Sequence, residues 1–299
     1  PAPISDHQRL EIMPEEFLDR LAIHTITNKP WSGEQCIKHY AAAGVSGITF
    51  WRFNFETTTP KTLGQQSRDA GLNVVSLARG GFFPAGSASD RQSAIDDNLR
   101  AIDEAHDLGA PSLVLVCGAV PGQPLETSRS QITDGIAACL DHAKAANVIL
   151  AIEPLHPMYA DDRSAINTMA QANDACETLG NHPNVGIACD VYHTWWDPGL
   201  ENQINRAASN GNFTAFHICD WLTPTGDFLN DRGLMGDGCI DIAGISKTVD
   251  ATNFTAHREV EIFSTHHWSR NQSDYLQDIV AAYNNTYSQQ KARPQATTD

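Results

Sequence analysis

Four short apolar runs in the second half of the chain each end in a side chain that can bind a metal ion. The runs are VILAIE, VGIACD, FTAFH and REVE, and they end at Glu153, Asp190, His217 and Glu261. Three carboxylates and one imidazole suit a divalent cation, Mn²⁺ or Mg²⁺ first, with Co²⁺ or Zn²⁺ as alternatives. The pattern therefore predicts a metalloenzyme with these four residues as ligands of one ion.

The fourth ligand has two alternatives in its own run. Glu259 and His257 lie on the same side of the run as Glu261, because side chains alternate along a strand. We favour Glu261 because it lies nearest the end of the predicted strand.

Two histidines follow the first two ligands at the same spacing. His156 comes three residues after Glu153, and His193 three residues after Asp190, each in a loop beyond a strand. Both suit proton transfer or the binding of a substrate hydroxyl. The alternative for each is an ordinary surface histidine.

A cation and several aromatic rings complete the candidate site. Arg232 lies in the long irregular stretch after the seventh strand, where it can reach a substrate oxygen or an anion. Its alternative role is an ion pair with Asp231 or Asp237. Trp51 and Trp221 offer flat apolar walls for a sugar ring, with burial in the core as their alternative.

Eight strand-like runs alternate with helical patterns, and this rhythm positions the candidate ligands. The runs are rich in apolar residues, as expected for parallel strands that are covered on both faces. The strand candidates are 21–27, 47–53, 73–81, 112–118, 148–155, 185–193, 213–221 and 258–264. The helix candidates are 32–44, 61–70, 90–108, 128–146, 165–179, 200–208 and 242–249. The alternation predicts an α/β fold, a (β/α)8 TIM barrel, with catalytic groups at the carboxyl ends of its strands.

Length and composition set further bounds. The chain has 299 residues, of which 41% are hydrophobic, and this predicts one domain over 1–299, with its core at 21–287 and a polar tail at 288–299. The net charge of −16 argues against nucleic acid as a partner. No apolar stretch approaches the roughly 18 residues of a membrane span, and 1–17 lacks a signal-peptide pattern. Seven dispersed cysteines without a CxxC pair favour a reducing, cytoplasmic location.

The chain resembles the xylose isomerase-like barrel superfamily, in its sugar phosphate isomerase/epimerase branch. The resemblance runs from about Leu21 to Ser264, and its segments are IEPLHP, CDVYHTWWDP, FHICDW, DRGLMGDGCIDI and EVEIFS. This superfamily includes epimerases such as D-tagatose 3-epimerase, inosose dehydratases and apurinic-site endonucleases. The resemblance implies a TIM barrel with one divalent metal site.

The epimerase pattern implies a role for each matching residue. Glu153 and Glu261 match the carboxylates that bind the metal and move the proton on opposite sides of the substrate. Asp190 and His217 match the other ligands, and His193 and Arg232 match substrate-binding positions.

Two features separate this chain from a strict ketohexose epimerase. A typical epimerase has a second glutamate six residues after the first metal-binding one, where this chain has Tyr159. The EPLH segment also resembles catalytic subunits that cleave 3-oxo C-glycosides, which implies His156 as a base. Those enzymes have a second, small β-rich subunit, which this chain does not contain.

The prediction is a metal-dependent isomerase or epimerase that acts on a keto sugar through an enediolate. The alternative is a lyase or dehydratase on a 3-oxo sugar or 3-oxo C-glycoside. A nuclease would need a basic groove, and a non-catalytic binding barrel would bind no metal. The expected partner is a small carbohydrate, with a homo-oligomer as a further expectation.

Overall fold

A computed structural model describes residues 15–292 and shows a closed barrel of eight parallel strands. Around the barrel the strands follow the order β1, β10, β7, β6, β5, β4, β3, β2. The barrel strands are β1 Leu21–His24, β2 Gly47–Trp51, β3 Asn73–Gly81, β4 Ser112–Val116, β5 Ile149–Glu153, β6 Val185–Asp190, β7 Phe213–Ile218 and β10 Arg258–Val260. The predicted (β/α)8 fold is confirmed.

Helices connect the strands and cover the outside of the barrel. They are α1 Gly33–Ala42, α2 Pro60–Asp69, α3 Ala88–Leu108, α4 Leu125–Ala146, α5 Met169–Thr178, α6 Val191–Thr194, α7 Leu200–Ser209, α8 Ile242–Ala251, α9 Thr265–Trp268 and α10 Gln272–Ala292. Local signals set their ends. Ser32 caps α1 in a capping box with Gln35. The left-handed backbone of Gly109, with a φ of 84°, ends α3.

Seven of the eight predicted strands extend beyond the observed ones, and in three of them, those of β6, β7 and β10, the excess residues bear on the candidate site. After β6, the Asp190 side chain accepts a hydrogen bond from the Tyr192 amide, which starts the short helix α6. After β7, the strand β8 (Asp220–Trp221) pairs antiparallel with β9 (Arg232–Gly233). The β10 ladder ends at Val260, so Glu261 is the first residue beyond it.

The interior of the barrel is lined by small apolar side chains and a polar layer. One apolar cluster consists of buried Ala78, Val114, Ala151, Ala188 and Ala215. These short side chains leave room for the buried polar residues His24, Thr49, Ser76 and Glu259. The centre of the barrel therefore holds buried polar and charged side chains, which lie beneath the candidate site.

Two sequence predictions concern the ends of the chain. Helix α10 continues to Ala292, so the predicted tail is helical at its start, and 293–299 lie outside the described residues. Most of the N-terminal segment considered for a signal peptide also lies outside them. In the part of the chain that is described, no helix has the length and apolar character to cross a membrane.

Candidate metal centre

The structure brings the four predicted ligands together at the carboxyl end of the barrel. One donor atom from each of Glu153, Asp190, His217 and Glu261 lies within 4.8 Å of the others, and all four residues are buried. Glu153 and Asp190 are the last residues of β5 and β6, and His217 is the penultimate residue of β7. Because parallel strands end on the same face of the barrel, the side chains at their ends meet at one point.

The imidazole of His217 spans two layers of carboxylates. Its Nδ1 lies 3.0 Å from Glu153 Oε1, inside the cluster. Its Nε2 lies 3.8 Å from Glu259 Oε1, and this buried nitrogen has no hydrogen-bond partner among the described residues. Burial alone would lower the pKa of His217, but the charges of Glu259, Glu153 and Glu261 raise it to about 10.

Asp190 lies among other negative charges that its one cationic partner does not fully offset. Its Oδ1 accepts a hydrogen bond from the Tyr192 amide, and its Oδ2 accepts one from Arg232 Nη1, each at 2.8–2.9 Å. Burial, together with repulsion from Glu261 and Glu153, outweighs the attraction of Arg232 and raises the pKa of Asp190 to about 7. A nearby divalent cation would relieve this repulsion.

The donor set fits a divalent cation. Carboxylate oxygens and an imidazole nitrogen are the ligands that Mn²⁺, Mg²⁺, Co²⁺ and Zn²⁺ accept. Three buried acids in mutual contact would be costly without a balancing charge. Glu153, Asp190, His217 and Glu261 are therefore the residues that would hold the ion.

Arg232 lies inside this site rather than in a free loop. Its Nη1 lies 2.9 Å from Asp190 Oδ2 and 2.9 Å from Glu261 Oε2. The β8–β9 ribbon folds Arg232 back over the barrel, and its guanidinium lies against the ring of Tyr192, at 4.4 Å. Its ion-pair partners are therefore acids of the metal centre and not Asp231 or Asp237.

His193 is a buried, neutral neighbour of this arginine. Its Nε2 lies 3.3 Å from Arg232 Nη2, and its Nδ1 has no hydrogen-bond partner in the described part of the chain. Burial and the positive charge of Arg232 hold the pKa of His193 well below 6.5. Because Nε2 accepts from the guanidinium, we assign the proton to Nδ1.

His156 lies further from the cluster, half-buried between two indoles. Its ring centroid is 5.6 Å from that of Trp196 and 5.3 Å from that of Trp221. Its Nδ1 accepts a hydrogen bond from the Met158 amide, which leaves Nε2 for other contacts. Burial lowers the pKa of His156, so the neutral form is favoured.

The two predicted tryptophans occupy different positions. Trp51 lines the cavity that Glu153, His193, Arg232 and Glu261 also line, which we call the catalytic cavity. Its Nε1 lies 3.3 Å from His24 Nδ1. Trp221 is buried and stacks on Tyr192, with ring centroids 4.7 Å apart. Trp51 is thus placed to touch a ligand, and Trp221 to support the residues that do.

A second layer of polar residues, which the sequence analysis did not identify as a unit, lies beneath the cluster. The imidazole of His24 bridges two acids, with Nε2 3.1 Å from Glu259 Oε2 and Nδ1 2.9 Å from Glu261 Oε1. Glu259 Oε2 also accepts hydrogen bonds from Thr49 and Ser76. His24 is the last residue of β1, the same position that Glu153 and Asp190 occupy in their strands.

The loop between β8 and β9 covers the catalytic cavity. The hydroxyls of Tyr159 and Tyr192 both donate to the Phe228 carbonyl at 2.8 Å. Leu229, the next residue, lines the cavity beneath, which has a volume of only about 20 Å³. That volume is close to the space of one water molecule, so in this conformation the cavity is too small to enclose a sugar ring.

Comparison with known proteins agrees with this architecture. A solved structure of protein SMc04130 from Sinorhizobium meliloti 1021 is 47% identical, has a TM-score of 0.86, and covers 90% of this chain and 98% of its own. A structure of the IolI protein with a bound zinc atom is 19% identical, with a TM-score of 0.78 over 90% of this chain and 98% of its own. The latter likeness shows the shared fold alone.

One relative by sequence and one protein-family model also match this chain. The Escherichia coli K12 protein SgbU, provisionally named an L-ribulose-5-phosphate 3-epimerase, is 24% identical over 222 residues, which is 71% of each chain. The model of the protein family described as xylose isomerase-like TIM barrel matches residues 37–281 of this chain. With its closed barrel and its acids gathered at the strand ends, the chain belongs to the xylose isomerase-like TIM-barrel family.

Proposed function

We propose that the protein is a divalent-metal-dependent sugar isomerase or epimerase that acts on a keto sugar or its derivative. The observation that carries the proposal is the convergence of Glu153, Asp190, His217 and Glu261 within 4.8 Å at the barrel mouth. The family, the provisional name of SgbU and the zinc described for IolI support it. A bound Mn²⁺ or Mg²⁺ would act as a Lewis acid that makes the carbon next to the substrate carbonyl more acidic.

Glu153 and Glu261 are the two acids placed to move the proton. Glu153 Oε1 contacts His217, and its other oxygen makes no hydrogen bond to a described residue, so it is available to a substrate. Glu261 has both oxygens engaged, one by His24 and one by Arg232. We assign Glu153 as the acid that first removes a proton to give the enediolate, and Glu261 as the acid on the other side.

His193 and Arg232 would hold the substrate hydroxyls. His193 lines the cavity, and its buried Nδ1–H has no hydrogen-bond partner among the described residues. Arg232 Nε also lacks a partner among the described residues. A substrate oxygen that accepted from both would be fixed beside the two glutamates, with Trp51 as an apolar wall.

A lyase reaction is the second candidate, and the position of His156 is the observation that favours it. Its ring makes no hydrogen bond through Nε2 to a described residue and lies beside Trp221. In a lyase, His156 would remove the proton, and a group would then leave from the β-carbon. The second small subunit of C-glycoside-cleaving enzymes would then be an expected partner.

One experiment separates the two reactions. The Mn²⁺-loaded protein is incubated in D2O with a panel of keto sugars and 3-oxo glycosides, and the products are followed by NMR. The proposal predicts deuterium at one carbon of a keto sugar together with an isomeric product. Release of water or of an aglycone would favour the lyase, and no deuterium uptake from any sugar would contradict the proposal.

Some expectations remain predictions. They are a single domain over the whole chain, a cytoplasmic location and a homo-oligomeric state.

A further inference from the structure

Two arginines at the barrel mouth lie outside the metal centre and form no ion pair with a described residue. Arg79 is near the end of β3, and Arg163 is in the loop beyond Tyr159. Within the described residues, neither guanidinium makes a hydrogen bond or an ion pair. Each lies instead over an aromatic ring: Arg79 over Phe82 at 4.3 Å and Arg163 over Tyr159 at 5.4 Å.

These arginines lie where two cavities adjoin. Arg163 lines the catalytic cavity, together with Glu153. Arg79 lines a wider cavity, which we call the outer cavity, formed by the ends of β2 and β3, the segments that follow β1, β2 and β3, and one side of α3. Trp51 lines both cavities. The volume of the outer cavity is about 550 Å³, which is within the range of small-molecule sites.

The outer cavity has an excess of positive charge, although the chain as a whole has a net charge of −16. Arg52 in its wall is balanced by ion pairs with Asp97 and Glu104. Lys29, also in its wall, lies over the ring of Trp268 at 4.7 Å and has no acid partner among the described residues. With Arg79, it leaves two cations in this wall unbalanced.

Burial makes the isolated charge of Arg79 costly. Burial, followed by repulsion from Arg163 and Arg52, outweighs the attraction of Glu153 and Asp97 and lowers the pKa of Arg79 to about 10, so the guanidinium remains charged at neutral pH. A partly buried cation that is repelled by its neighbours gains most from an anion that it can bind through two parallel hydrogen bonds.

We propose that Arg79 and Arg163 form an anion subsite that holds a phosphate or carboxylate group of the substrate, at the end remote from the reacting carbon. The inference rests on the proposed isomerase function for the position of the reacting carbon. The sugar would span from the metal centre, past Trp51, into the outer cavity. Phosphate and carboxylate share the recognition chemistry, because a guanidinium binds the oxygens of either.

The test measures anion binding directly, apart from turnover. Isothermal titration of the full chain, at fixed ionic strength and fixed Mn²⁺, uses inorganic phosphate and D-glucuronate as separate probes. The variants are Arg79→Gln, Arg163→Gln and Arg79→Lys, with Arg206→Gln as a matched control. Arg206 lies on α7 and is paired with Asp174 and Glu177, away from both cavities.

The expected result is saturable binding of at least one probe, weakened about 10- to 100-fold by either glutamine substitution. Arg79→Lys should recover part of the affinity because it keeps the charge, and Arg206→Gln should bind as the wild type does. Tighter binding of phosphate would identify a sugar phosphate, and tighter binding of glucuronate a sugar acid. Circular dichroism melting curves would show that the variants are folded.

Two outcomes overturn the subsite: neither probe binds the wild type, or the glutamine variants bind as tightly as it does. Failure of the isomerase proposal looks different. In that case the arginine variants would still lose anion binding, while no keto sugar takes up deuterium. Deuterium uptake into a neutral sugar at an equal rate in wild type and variants, without anion binding, would retain the isomerase and remove the subsite.

Discussion

Glu259 and Glu261 lie two residues apart and point into the same barrel, yet their surroundings differ. Glu259 Oε2 accepts hydrogen bonds from His24, Thr49 and Ser76, in the polar layer beneath the metal centre. Glu261 lies just beyond the end of β10, lines the catalytic cavity and shares Arg232 with Asp190. The depth along the strand thus separates an acid enclosed in the polar layer from one that lines the cavity.

Their charges have different consequences for stability. Burial opposes ionisation of Glu259, but His217 and His24 together with Thr49 lower its pKa to about 2, so the carboxylate is well stabilised. Glu261 is also held as a carboxylate, by His24 and Arg232, but it repels Asp190 and contributes to the raised pKa of that residue. The metal centre therefore concentrates charge at some cost in stability, as functional sites often do.

The largest expected effect is on proton transfer. Glu261→Gln should reduce the formation of deuterated isomeric product about 10²- to 10⁴-fold, because an amide cannot deliver the proton to the enediolate from that side. The free energy of unfolding of this variant should stay within about 1 kcal/mol of the wild-type value. The removal of the repulsion between residue 261 and Asp190 offsets the lost ion pairs with His24 and Arg232.

NMR detection of deuterium and urea denaturation would measure these two quantities. Glu201→Gln, on the exposed face of α7, is the control for loss of a glutamate charge. Unchanged formation of the deuterated isomeric product by Glu261→Gln would remove this residue from the proposed chemistry.

The second expected effect is on stability: substitution of Glu259, unlike that of Glu261, should destabilise the fold. Glu259→Gln should lower the free energy of unfolding by about 3 to 5 kcal/mol, because it breaks a buried charge pair with His24. Urea denaturation of the metal-free protein would measure the loss. A stability equal to that of Glu201→Gln would mean that the polar layer does not support the barrel.

The pH dependence of that loss sharpens the comparison. The folded-state pKa of Glu259, about 2, is below the ordinary 4.5, so its contribution is fully present above about pH 4.5 and is lost as the pH falls towards 2. The difference between wild type and Glu259→Gln should therefore shrink on acidification over this range. A difference that stays constant from pH 5 to pH 2 would contradict the assigned role.

The same comparison explains what the sequence could predict. Glu153, Asp190 and His217 lie at or next to the ends of apolar runs, and a barrel brings such ends together, so a local pattern was enough to place them in contact. His24 was missed because its run, LAIHTIT, continues beyond it with further β-type residues, which hid the end of the strand.

Partners that depend on tertiary structure could not be predicted in this way. Arg232 contacts Asp190 and Glu261 only because β8 and β9 pair and fold the loop back over the barrel. Arg79, within the run NVVSLARGG, gives no local sign that Arg163 repels its charge or that it forms no ion pair with a described residue. These contacts join residues far apart in the sequence, and no spacing rule records them.

The central claim is that four side chains hold one divalent ion, and elemental analysis of Mn²⁺-loaded, gel-filtered protein tests it most directly. The account predicts about one metal ion per chain in the wild type and in the control His266→Gln, which alters an exposed histidine of α9. It predicts strongly reduced metal content in Asp190→Asn and His217→Gln. A wild type that retains no divalent ion, or variants that retain as much as the control, would contradict it.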